Sequence, residues 1–83
     1  MNRDSAKVPY LHKAYKLAVR TRNYKEMVFI ADSLAQIYVY QPDIHRATKW
    51  LARLKLHLGK YRDKPCEQTY RELEKELKVL RSN

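Results

Sequence analysis

A single glycine, Gly59, in 83 residues leaves this chain almost without the left-handed turn positions that hairpins and bulges of a multi-stranded sheet demand. Three widely separated prolines, Pro9, Pro42 and Pro65, add too little punctuation to bound a set of short strands. Helices remain. With 45% hydrophobic and 11% aromatic residues a disordered chain is excluded, and 10.0 kDa accommodates one small domain with a thin core. The expected fold is all-α: a small antiparallel four-helix bundle in which residues 1–83 form a single helical domain.

Apolar periodicity divides the chain into four segments. The first runs from about Asp4 or Ser5 to Thr21; because proline is tolerated in a first turn, Pro9 allows a start as late as Val8. Tyr10, Leu11, Ala14, Tyr15, Leu17, Ala18 and Val19 share one broad arc, and Lys13, Lys16 and Arg20 lie together on the other side. Asn23, followed three residues later by Glu26, has the spacing of a capping box that opens a second helix at Tyr24 or Lys25. That helix, ending near Tyr40, is apolar almost all round and is expected at the centre; Lys25, Asp32, Ser33 and Gln36 make a narrow stripe toward water. Pro42 ends it, and either Gln41 or Asp43 caps the next helix.

The third segment carries Ile44, Ala47, Leu51, Leu54 and Leu58 as a seam, with Gly59 expected as its left-handed cap. The fourth repeats the seam with Cys66, Tyr70, Leu73, Leu77 and Leu80, and offers the four-residue ion pairs Glu67–Arg71 and Glu74–Lys78. Short connections favour antiparallel neighbours.

The chemistry-bearing residues exclude more than they identify. One glycine cannot build a phosphate loop or a dinucleotide fingerprint. His12, His45 and His57 have no second His or Cys three or four residues away, so neither a metal nor another cofactor is expected, and the chain reads as non-enzymatic. Cys66 is the sole cysteine, which rules out an internal disulfide and suits a reducing cytoplasmic compartment. It opens a helix in basic surroundings, which favours a reactive thiol, and it also occupies a seam position, which favours burial. No run of residues is long and apolar enough to span a membrane.

Eighteen basic against nine acidic side chains give a formal charge of +9, and an anionic partner follows from that balance. Residues 66–83 hold four of each sign and are neutral, so the charge belongs to the first three segments, and the last segment is a candidate contact for a homodimer. Opposite the seam of the third helix, Arg46, Lys49, Arg53 and His57 fall within about 80° of arc with Trp50 at their edge. Lys13, Lys16 and Arg20 of the first helix extend this face. Basic residues interleaved with an aromatic fit an acidic protein surface, with opposite charge steering encounter and the ring supplying desolvated contact. The same face fits a small nucleic-acid-binding regulator through phosphate contact and base stacking. Seven tyrosines suit the edges of a thin core or a partner surface.

Across residues 31–59, Leu34, Ala35, Tyr38, Ala47 and Leu51 fall at the spacing of the tetratricopeptide helical hairpin, which this stretch resembles. It departs from that pattern at Ala31, where a large aromatic is usual, at Leu54, where a small residue is usual, and at Pro42 in the turn. The resemblance implies a close antiparallel hairpin from Lys25 to Leu58 and a role in binding protein. A looser likeness, through Ile44, Arg46, Trp50 and Leu51 of the third helix, is to the small basic four-helix bacteriocin immunity proteins.

Overall fold

The computed structural model describes residues 3–82 and consists of four helices: α1 (Arg3–Arg20), α2 (Tyr24–Tyr40), α3 (Ile44–Leu58) and α4 (Lys64–Ser82). The order and type of all four elements agree with the periodicity. Its extents of 39 × 29 × 19 Å describe a slab rather than a cylinder, and the reason lies in which helices touch. The apolar helix α2 packs against α1, α3 and α4, and α3 packs against α4 as well; among the described residues the backbone of α1 approaches α2 alone. Helices α3 and α4 run antiparallel, as Arg81 near the end of α4 donates to Thr48 in the first turns of α3 at 2.6 Å. Leu34, Leu54 and Val28 are sealed in the core with Ala31, Ala35 and Ala47, small residues that let α2 and α3 come close.

Each of the three turns places a side-chain cap at its end. Asn23 accepts a hydrogen bond from the Glu26 amide, Asp43 from the Arg46 amide and Asp63 from the Cys66 amide, at 3.1, 3.1 and 3.0 Å. Asp43, rather than Gln41, is therefore the cap of α3. The caps recur at a spacing of 20 residues, a regularity not apparent from the apolar pattern. At Asn23 only half of the expected capping box forms, because its own amide donates instead to the Ala18 carbonyl at 2.9 Å. That bond, with Arg22 N–H to the Val19 carbonyl at 3.2 Å, closes a Schellman motif whose left-handed residue is Arg22, at φ 52°.

Several expectations are corrected. Helix α1 is continuous through Pro9, whose exposed ring costs the helix one backbone hydrogen bond. Gly59 is not left-handed but sits at φ −67°, ψ −22°. There α3 ends by tightening, with Lys60 and Tyr61 both donating to the His57 carbonyl at 2.9 and 3.0 Å. A Cβ at Gly59 would lie 3.2 Å from the Leu56 carbonyl oxygen. Glu67 pairs with Arg62 at 3.0 Å instead of Arg71, and Glu74 accepts from the Tyr70 hydroxyl at 2.9 Å rather than holding Lys78. Asp32, placed by periodicity in a wet stripe, is half-buried: Oδ2 accepts from Gln36 at 3.0 Å, Oδ1 is buried without a partner, and burial raises its carboxyl above the usual range. None of the described helices is long and apolar enough to cross a membrane.

Candidate functional site

Because α1 and α3 both lean on α2 without approaching each other, a cleft of about 550 Å³ opens between them. From α1 it takes His12, Tyr15, Lys16, Val19 and Arg20; from α3 it takes Lys49, Trp50 and Arg53. Helical spacing explains the selection, since residues three, four and seven apart share a face and these sets obey that rule. The floor is apolar and aromatic, and the rim carries four cations. No carboxylate among the described residues pairs with Lys16, Arg20, Lys49 or Arg53, the ion pairs there being Arg46–Asp43 and Arg62–Glu67.

Side chains alone bridge the cleft at its base. The Tyr15 hydroxyl and His57 Nε2 share a hydrogen bond of 2.6 Å, and the Tyr15 ring meets Trp50 edge to face at 4.8 Å. His12 lies 5.3 Å from Trp50, also edge to face, and shares a 3.0 Å hydrogen bond with the Tyr38 hydroxyl. Arg53 is held over both rings, its guanidinium carbon 4.5 Å from the Trp50 centroid and 5.5 Å from that of Tyr15. A cation so placed is positioned in advance of any ligand. Burial lowers the pKa of both bridging histidines; for His12 the charges of Lys49, Arg53, Arg46 and Lys16 push the same way, and for His57 that of Arg53 does. Burial also raises the Tyr15 phenol. The bridge is therefore built from neutral groups beneath a positive rim.

The eight residues read from sequence as a partner-binding face separate into groups. Lys16, Arg20, Lys49, Trp50 and Arg53 come together in the cleft. Arg46 lies one turn beyond, in a shallower hollow with Val8, His12, Tyr38 and Gln41; it pairs with Asp43 at 2.9 Å and stands 5.9 Å from the Tyr38 ring. Its amide and guanidinium together hold the Asp43 carboxyl below the usual range. Lys13 is exposed on α1 and lines neither hollow. Two residues require correction, since Trp50 is 2% and His57 9% exposed. Both belong under the surface, because α1 covers the flank of α3 that its own sequence leaves open. His12, Tyr15 and Val19 were not singled out as site residues. A signal for this flank exists in α3, where Ala47, Trp50, Leu54 and His57 repeat the 3-4-3 spacing and form a second seam beside the first.

Cys66 is buried, and its thiol is pushed up to about 12, first by burial, then by the carboxylates of Asp63 and Asp32. It stays protonated and packs as a small apolar group, not a nucleophile. No three His, Cys, Asp or Glu side chains among the described residues are placed to hold a metal ion. No protein-family model matches this chain, and neither the curated proteins nor the solved structures contain a significant match to it.

Proposed function

We propose that the protein is a non-enzymatic interaction module, an adaptor, inhibitor or chaperone, that receives an acidic protein partner in the cleft between α1 and α3. One observation carries this reading: four cations from two helices converge on an apolar cleft with no carboxylate of the described residues to neutralise them. Unpaired cations facing one another repel, and an anionic partner relieves that repulsion while covering apolar surface. The resemblance of residues 31–59 to the tetratricopeptide hairpin, whose family binds protein, supports the same reading. Nucleic acid is served less well, because base stacking needs an open ring face and Trp50 is 2% exposed beneath Arg53. A homodimer through α4 would draw on Val79 and the exposed polar face, since Cys66, Leu73 and Leu77 of the α4 seam are buried inside the chain.

The test is affinity capture from lysate of the native host, with and without nuclease treatment, with the wild-type chain and the Lys49→Glu/Arg53→Glu double variant immobilised side by side. Identified acidic proteins should be retained by the wild type and lost by the variant. Retention that disappears with nuclease treatment would place nucleic acid in the cleft instead.

A further inference from the structure

We infer, resting on the acidic-partner reading, that the cleft takes a short acidic segment in extended form, with one large apolar side chain inserted between α1 and α3 and carboxylates on either side of it. The argument is one of shape. A broad acidic surface laid across the molecule meets the rim cations but leaves Val19 and the exposed part of Tyr15 in water. A single inserted side chain reaches both. Val19 is 45% exposed, apolar surface held open at the cleft for a ligand to cover. The volume of about 550 Å³ lies inside the range of sites that enclose a ligand group, ~300–1,000 Å³. From His12 to Arg20 the α1 wall rises about 12 Å, the length of about four residues of extended chain.

The charges are arranged to match. Lys49 acts on His12 at one end, Arg20 closes the α1 wall at the other, and Arg53 sits between, fixed against two rings. Its guanidinium carbon lies over Trp50, and its N–H groups remain for a carboxylate. An apolar anchor flanked by acids thus satisfies floor and rim together, which an all-acidic segment does not.

Trp50 is the only tryptophan in the chain, so its fluorescence reports occupancy without a label. Three probes are titrated against the full chain: a short blocked glutamate peptide with one central phenylalanine, the same peptide with alanine in that place, and an oligothymidylate of equal charge. The phenylalanine peptide is expected to bind at least roughly tenfold more tightly than the alanine peptide, as burial of an aromatic side chain requires. Lys49→Glu should weaken both peptides. Val19→Asp, at an exposed position and with retention of the fold checked by circular dichroism, should abolish the preference for phenylalanine. Equal affinity for the two peptides overturns insertion while leaving an acidic partner in place. Absence of binding by both peptides overturns the acidic-partner reading as well, and tighter binding of oligothymidylate than of either peptide replaces both with a nucleic-acid ligand.

Discussion

Helices α2, α3 and α4 close on one another through side chains such as Leu34, Leu54, Leu73 and Leu77, each at most 5% exposed, whereas α1 meets α3 through rings, a hydroxyl, two imidazoles and the Arg53 guanidinium, where four cations gather. The first kind of contact is non-directional and excludes water. The second depends on hydrogen-bond geometry and on protonation, so its strength changes with conditions that leave aliphatic packing untouched. A small chain that devoted all its apolar surface to one core would have no concavity. Here the core surrounds α2 and takes in Ala18 of α1, and between α1 and α3 it leaves a seam that a ligand can share.

The comparison breaks most severely at the aliphatic core. Leu54→Ala, at a position with no exposure, is expected to cost ~2–5 kcal/mol, and denaturant unfolding followed by amide exchange should show all four helices losing protection together. If α1 alone lost protection, the two regions would not differ as described. Tyr15→Phe removes the hydroxyl that meets His57 and should cost about 1 kcal/mol. That loss should appear as faster exchange in α1, with α2, α3 and α4 little changed.

Arg22→Gly should raise stability by about 1 kcal/mol, because Arg22 holds a positive φ that glycine adopts without steric cost. A thermal scan should show the midpoint rising by roughly 4–8 °C. The mildest perturbation removes no atoms. His12 and His57 have folded pKa values below the ordinary imidazole value, so as pH falls through that value the unfolded chain binds protons that the folded chain refuses. Stability then drops on going from pH 7 to 5. Imidazole resonances followed by NMR should titrate late, with the loss of protection beginning in α1. Uniform loss across the four helices would remove the distinction.

Most of the architecture was legible because a helix in a small bundle writes its buried face into its own spacing. The seam of Ala47, Leu51, Leu54 and Leu58, the caps Asn23 and Asp43, and the centrality of α2 are local facts about local sequence. The misreadings share one physical origin. Trp50 and His57 lie at the flank of the α3 seam, and only the arrival of α1, some forty residues earlier in the chain, decides whether that flank is wet. Gly59 attracted the left-handed assignment that Arg22 carries, because conformational permission is not conformational demand. The cleft cations were legible individually as basic faces of two helices. Their convergence was not, since it requires the angle at which both helices lean on α2.

That arrangement also has a schedule. Synthesis completes α1 first, yet its cleft partners Trp50 and His57 are added up to 37 residues after Arg20, a delay of roughly two to seven seconds at ribosomal speeds. During that interval α1 has only α2 to shelter it, and its exposed Leu17 and Tyr10 stay available to any passing apolar surface. A substitution that loosens α1 from α2 therefore shows itself as poor yield from the ribosome before it shows itself as a lowered melting temperature. The cleft, whose first wall is made before α2, α3 and α4, acquires its shape only once α3 has been added.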